Sequence, residues 1–205
     1  MLLVNNLTFI RNNKTIFKNL NISLTPNKFV QIRGRNGVGK TTLIKTLCQI
    51  ILQAKGDIYW EGKNIKKNYE NYFNNLTLIM DTNTSKKEMT ISENIEFWKN
   101  LFASKIHNDV IKGILDILGI NYKNDVMVKH LSFGEIRKLE MVRLIIEQKK
   151  LWILDEPYMG LDRTTIDILN ETFKNHIQSH GMVIIASHYQ PEIAGIETIE
   201  LEAYQ

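Results

Sequence analysis

A single cysteine, Cys48, stands in the 205 residues, so no disulfide can form within the chain. That usage fits a reducing compartment. Long apolar runs are missing too: no stretch approaches the roughly 18 uncharged apolar residues that a membrane-spanning helix needs. The opening residues, MLLVNNLTFIRNNK, carry neither a positive leader nor a long apolar segment, and no secretory signal is expected there. If the protein serves a membrane machine, another chain must supply the membrane. Internal repeats, low-complexity tracts and heptad runs are also lacking.

The charge is close to balanced, 26 Lys and Arg against 22 Asp and Glu, a net +4. There is no Lys/Arg stripe of the kind that nucleic-acid binders carry, and no nucleic-acid partner is expected. The densest basic stretch, Lys63, Lys66 and Lys67, reads as solvated surface, with attraction to anionic lipid headgroups as the alternative. Four histidines, His107, His130, His176 and His180, share no metal-ligand spacing and read as structural or solvent-facing. Trp60, Trp98 and Trp152 read as packing residues.

What is present is ordinary globular composition, 43% hydrophobic and 23% charged, enough for one domain with a real core. Leu2–Ile10 and Ile16–Leu24 predict strands around an Asn-Asn-Lys turn, and Phe29–Arg33 a short strand running into a glycine-rich turn. Leu43, Leu47, Ile50 and Ile51 recur at helical spacing and predict the next helix. Further strands are expected at Asp57–Trp60, Leu76–Met80, Leu151–Leu154, Met182–Ser187 and Ile196–Leu201. Helices are expected at Glu93–Phe102, Asn108–Leu118, Gly134–Glu147 and Asp162–Ser179. Strands and helices alternating around a helical insert predict an α/β fold, with residues 1–84 and 148–205 as the α/β core and about 85–147 as an all-α subdomain.

Three segments carry chemistry. Gly34-Arg35-Asn36-Gly37-Val38-Gly39-Lys40-Thr41 fits G-x-x-x-x-G-K-[ST] between a strand and a helix. The glycines let the backbone turn tightly so that its N–H groups face phosphate oxygens, and the helix adds its positive end. Lys40 is expected on the β- and γ-phosphates, the Thr41 hydroxyl on Mg²⁺, and Thr42 as a further hydroxyl contact. Leu151–Leu154 is an apolar strand that ends in Asp155 and Glu156. Asp155 at the strand tip would hold Mg²⁺ through water, and Glu156 would polarise the attacking water. Leu131-Ser132-Phe133-Gly134-Glu135 is a capping box before a helix, and a capped helix end is itself an anion site.

This last segment resembles the LSGGQ signature of ABC (ATP-binding cassette) ATPases and falls where that family has it, about 20 residues before Asp155. His188, 32 residues past Glu156, is similar to the family's switch histidine. Gly160-Leu161-Asp162 resembles its D-loop, although Asp162 equally suits a helix N-cap. The motifs occur in ABC order across the whole chain. The resemblance implies a P-loop NTPase of the ABC cassette type: a RecA-like core sheet with an antiparallel β part and an inserted all-α subdomain. It implies ATP and Mg²⁺ as cofactors. It implies a homodimer in which two ATPs are sandwiched, each between one phosphate loop and the partner's Ser132, Phe133, Gly134 and Glu135.

Shorter stretches narrow the resemblance: Ile58-Tyr-Trp-Glu-Gly-Lys63, Met89-Thr-Ile-Ser-Glu-Asn94 followed by Phe97, Leu151-Trp-Ile-Leu-Asp-Glu-Pro157 and His180-Gly-Met-Val-Ile184. They are similar to the haem-exporter ATPases of bacterial cytochrome c maturation. That implies membrane-spanning permease subunits of the same system as partners, and a peripheral position on the cytoplasmic face of the bacterial inner membrane. It implies ATP hydrolysis that drives haem export, or release of haem from its chaperone. An ABC subunit for another cargo, such as a lipid or lipoprotein, is the alternative; a soluble ABC ATPase acting on ribosomes or DNA is a more distant one.

Some positions depart from the family pattern. The glutamine expected after the Leu76–Met80 strand is absent; the sequence reads Asp81-Thr-Asn-Thr, and Thr82 aligns as the possible Mg²⁺ ligand. The adenine-stacking aromatic aligns with Arg11, whose planar guanidinium can stack on a base, with Phe9 as a neighbouring candidate. Phe133 and Glu135 replace Gly and Gln in the signature. A negative charge at Glu135 would face the partner's ATP, and slower intrinsic hydrolysis is expected.

Overall fold

The computed structural model describes residues 1–205. β1 (Leu2–Arg11) and β2 (Lys14–Leu24) form an antiparallel hairpin turned by Asn12 and Asn13 at φ 50° and 59°. Asparagine tolerates that left-handed region, which a two-residue hairpin turn demands. β4 (Lys55–Trp60) and the two-residue β5 (Lys63–Asn64) complete a sheet in the order β2-β1-β4-β5.

The second sheet is parallel throughout, in the order β6-β7-β8-β3-β9. Its strands are β3 (Lys28–Arg33), β6 (Leu76–Ile79), β7 (Leu151–Asp155), β8 (Met182–Ala186) and β9 (Glu197–Glu200). Every residue of β7 and β8 is buried, as expected of parallel strands covered on both faces. The order matters for the site. β3 and β7 both flank β8, so the loops leaving β3, β7 and β8 emerge side by side at the carboxyl edge of the sheet, where α/β sheets bind ligands.

The helices are α1 (Lys40–Leu47), α2 (Tyr69–Asn74), α3 (Ile91–Leu101), α4 (Asn108–Ile117), α5 (Phe133–Glu147) and α6 (Arg163–Gln178). None is long and apolar enough to cross a membrane. Complete capping boxes start α3 (Thr90 with Glu93) and α5 (Ser132 with Glu135). Three apolar clusters hold the molecule together. The largest joins the antiparallel sheet, α1 and one face of the parallel sheet; the second packs α6 and part of α5 on its other face. The third is built from residues 91–146 alone. α5 serves two of them: Met141 and Leu144 face the sheet, while Leu139, Val142 and Ile146 face the helical insert. Its remaining flank is a buried column of charge, Arg137, Glu140, Arg143 and Glu147.

Two expectations differ from the structure. α1 stops at Leu47, because Gln49 turns left-handed at φ 53° and Ile50 swings out, 56% exposed. The apolar spacing of Ile50 and Ile51 runs past the end of the helix it suggested. α2 and β5 lie in an Asn-, Lys- and Tyr-rich stretch whose sequence has neither period.

Candidate functional site

The loop after β3 turns on glycines that nothing larger replaces. Gly34 has φ 144°, and a Cβ there would lie 2.6 Å from the Glu202 carboxylate; at Gly39, φ 115°, it would lie 2.5 Å from Ile16. α1 then starts at Lys40 with no side-chain cap and no acid in its first turn. Its free N–H groups are open to an outside acceptor. Arg35 N–H donates to Glu202 Oε1 at 2.6 Å, which anchors the loop's first turn to the chain's last residues.

Lys40 is buried, and its ammonium touches everything the loop encloses. Nζ donates to the Gly34 carbonyl at 2.8 Å, reaches His188 Nε2 at 2.8 Å and lies 4.0 Å from Glu156 Oε1. An ammonium only donates, so in this contact Nε2 accepts. Asn36 Oδ1 completes the ring, 2.6 Å from the same nitrogen. Glu156 Oε1 is 3.8 Å from His188 Nε2. Asn36, Gly37, Gly39, Lys40, Thr41 and Glu156 line a cavity of about 190 Å³. Beside it, Arg33, Gly34, Arg35, Ser187, His188, Glu200 and Glu202 line a wholly polar one of about 350 Å³. The largest cleft, about 480 Å³, is elsewhere, against the stacked rings of Trp152 and His176.

Asp155 and Thr41 meet next to this cavity. Thr41 Oγ1 donates to Asp155 Oδ2 at 2.6 Å. Burial pushes the Asp155 carboxyl above its usual range, and the Thr41 hydrogen bond pulls it partly back. Its other oxygen, Oδ1, is buried with no partner. An orphaned carboxylate oxygen beside a threonine hydroxyl fits a hard divalent cation such as Mg²⁺, which takes oxygen ligands and would remove that deficit.

Glu156 stands in a strained turn. Its φ is 44°, left-handed and costly for a residue with a side chain. Its N–H donates to the Ala186 carbonyl at 2.8 Å. His188 is held from below by Gln31, fully buried in β3, whose Nε2 donates to the carbonyls of Ser187 and Tyr189 at 3.1 and 2.7 Å.

The other expected residues sit apart. Ser132, Phe133, Gly134 and Glu135 open α5 and make no hydrogen bond to the phosphate loop of their own chain. The Ser132 N–H and hydroxyl donate to Glu135 Oε2 at 2.8 and 2.9 Å, and Lys123 pairs with Glu135 at 2.6 Å. Chiefly through Lys123, the Glu135 carboxyl is held at about 2. Phe133 and Gly134 pack on the loop at Gly160, where a Cβ would meet the Phe133 ring at 2.5 Å. Asp162 caps α6 through Thr165 and pairs with Lys138 of α5 at 2.9 Å. Val38 is buried, and Thr42 continues α1 after Thr41. Arg11 is exposed at the end of β1, and the Phe9 ring lies 6.0 Å from Phe17. Thr82 is exposed on the loop after β6; its neighbour Asp81 lies close enough for its charge to raise the Asp155 carboxyl further.

Sequence reasoning passes over Gln31, Lys123, Arg137 and Glu202. Gln31 carried a signal, as the lone polar residue inside the apolar run Phe29–Ile32; Arg137, in Glu135-Ile-Arg-Lys138, had none. Lys123 and Glu202 had none either.

A family model described as "ABC transporter" matches residues 17–159. The chain is 35% identical to the "Cytochrome c biogenesis ATP-binding export protein CcmA" of Vibrio vulnificus (strain YJ016), over 92% of each protein. It is 30% identical to the protein of the same name in Haemophilus influenzae, over 98% of this chain and 94% of that one. In fold it is similar to a putative ABC transporter ATP-binding protein from Pyrococcus furiosus, with a TM-score of 0.86 at 20% identity over 100% of this chain and 98% of that one.

Proposed function

The chain belongs to the ABC transporter ATP-binding family, and on that premise we propose that it hydrolyses ATP for the haem exporter of bacterial cytochrome c maturation. The chain is then a single ABC ATP-binding domain, with residues 1–84 and 148–205 as its core and about 85–147 as its helical subdomain. The observation that carries the ATPase reading is the set of direct contacts that join Lys40 to His188 and Glu156, and Thr41 to Asp155, from three neighbouring strand ends. The cytochrome c assignment rests on the similarity to the two relatives named above.

The residues divide the work. The free N–H groups of α1 and the turns at Gly37 and Gly39 receive the β-phosphate, with Arg35, Asn36, Val38 and Thr42 shaping the loop. Lys40 leaves the Gly34 carbonyl and His188 for the β- and γ-oxygens. That frees His188 Nε2 to donate to the γ-phosphate. Thr41 and Asp155 would hold Mg²⁺, with Thr82 a further ligand candidate; the bound ion would supply positive charge to the phosphates. Glu156 accepts a hydrogen bond from the attacking water and orients it in line with the γ-phosphorus. Arg11 lies under the base. Ser132, Phe133, Gly134 and Glu135 face the ATP of a second copy, and Asp162 lies along the same interface. Permease chains of the maturation system supply the membrane, and this subunit sits peripherally on the cytoplasmic face of the inner membrane.

Phosphate release by the purified chain, with and without Mg²⁺, tests the reaction; a rate equal to that of Glu156→Gln overturns it. Affinity purification of the chain from its own membranes tests the system. Recovery of cytochrome c maturation permeases supports the assignment. Recovery of permeases for a lipid or lipoprotein replaces it.

A further inference from the structure

Arg137 lies one turn into α5 with none of its surface exposed. Its Nη2 donates to the main-chain carbonyls of Asp155 and Glu156, both at 2.9 Å. Those two carbonyls flank the Cα of Glu156. Its Nη1 donates to the Met80 carbonyl at 2.5 Å, where the chain leaves β6. With the Glu156 N–H on the Ala186 carbonyl, every polar backbone group around that residue is held. The turn so held is the strained one, and a left-handed glutamate persists only when its surroundings over-determine it.

A buried guanidinium is an expensive way to fill space, and an apolar side chain would pack there more cheaply. Here even the Nε is left without a partner. Burial works against its charge, and Glu140, Asp81, Asp155 and Glu156 favour it; the group stays ionised. The same flank of α5 grips β6 and the segment beyond Met80. Glu140 accepts from the Thr84 and Ser85 N–H groups at 2.7 and 2.6 Å, and Glu147 from Thr77 Oγ1 at 2.8 Å. α5 is therefore a strut fixed along β6 and its following loop, with Arg137 the one side chain that reaches on to the Asp155–Glu156 turn.

We propose that Arg137 is the positioning residue for Glu156: its guanidinium holds the left-handed turn that aims the carboxylate, and it touches neither nucleotide nor metal. This rests on the reading of Glu156 as the group that orients the attacking water. A displacement of about 1 Å at such a group costs on the order of 10²-fold in rate, with little effect on ground-state binding.

The test uses the full chain in four forms, wild type, Arg137→Gln, Arg137→Lys and Glu156→Gln, and adds each Arg137 change to Glu156→Gln. Single-turnover ATP hydrolysis and the affinity for a fluorescent ATP analogue are measured for each, with a thermal melt to confirm folding. Arg137→Gln is expected to lose about 10²-fold in rate with its affinity within about twofold of wild type. Arg137→Lys keeps the charge but not the fork, and is expected to recover part of the rate. In the Glu156→Gln background neither change should cost anything further, because groups that act as a unit are non-additive. Should Arg137→Gln fail to fold, Arg137→Lys carries the same comparison. Equal losses in both backgrounds, or a rate loss that tracks weakened binding, overturn the proposal, as does a wild-type rate in Arg137→Lys. If Glu156→Gln is itself as fast as wild type, the assignment of Glu156 falls and this proposal with it; if Glu156→Gln is slow and the Arg137 variants are fast, only the proposal falls.

Discussion

Lys40 and His188, 148 residues apart in sequence, meet at 2.8 Å with the lysine donating to the imidazole Nε2. The charge of Lys40 is thus met from within the chain. The ammonium leans on the imidazole, on the Gly34 carbonyl and, at 4.0 Å, on Glu156. On the proposed reading, ATP would replace these contacts with charge-assisted bonds to phosphate, the stronger kind.

Lys40→Ala removes the one cation inside the cavity. A hydrogen bond between charged groups contributes about 1.5–3 kcal/mol. Nucleotide affinity is expected to fall about 10- to 100-fold, with hydrolysis lost at ordinary ATP concentrations. Titration of a fluorescent ATP analogue measures the affinity; wild-type binding would remove Lys40 from the site.

Glu156→Gln keeps the shape of the side chain and removes the acceptor that orients water. Binding should persist while turnover falls by about 10²–10⁴-fold. With ATP and Mg²⁺ the variant should accumulate as a dimer on size exclusion, and the wild type should not. A monomeric variant that binds ATP would count against the sandwiched homodimer.

On the proposed reading Glu135 would bring a negative charge toward a partner's ATP, and Lys123 pairs with it at 2.6 Å. Glu135→Gln is therefore expected to speed hydrolysis only about two- to fivefold, the scale of a partly exposed pair. Lys123→Met leaves the carboxylate uncompensated and should slow it by a similar factor. Steady-state rates of both variants decide this; a Lys123→Met protein as fast as wild type sinks the idea.

His176 is stacked on Trp152 at 3.5 Å, and burial lowers it from 6.5 to about 4. Between those values the unfolded chain carries a proton on His176 and the folded chain does not. Stability therefore falls as pH drops from about 6.5 to about 4, by roughly 2–3 kcal/mol from this group. Urea midpoints across that range should show the decline in wild type and a flatter profile in His176→Asn. Parallel profiles would mean that other groups carry the pH dependence.

Local chemistry was readable from single segments. The phosphate loop is eight consecutive residues whose function follows from glycine backbones, a lysine and a threonine next to one another. The Ser132 and Glu135 capping box is a three-residue spacing, and the structure forms it. The Asp155–Glu156 pair follows a wholly buried strand, as its apolar run predicts. Failures came where the period of the sequence and the geometry of the chain part company. Ile50 and Ile51 continue α1's spacing after Gln49 has already turned the backbone. α2 forms in a stretch without apolar spacing, through contacts such as the buried Tyr72 hydroxyl donating to the Leu47 carbonyl.

By itself, then, the sequence determined the local elements: a glycine-rich loop that ends in a lysine and a threonine, an apolar strand that ends in two acids, and a capped helix. Each is written in neighbouring residues, and neighbouring residues keep their relative geometry in any fold that forms the element. The tertiary structure alone decided that β8 lies between β7 and β3, which brings Lys40 to His188 and Thr41 to Asp155. It decided that Arg137 grips the Glu156 turn, that Gln31 holds the backbone around His188 and that Lys123 neutralises Glu135. These contacts depend on strand order and on which helix flank meets which loop. Neither is visible in a local period, because both are settled by how all the apolar faces are buried at once.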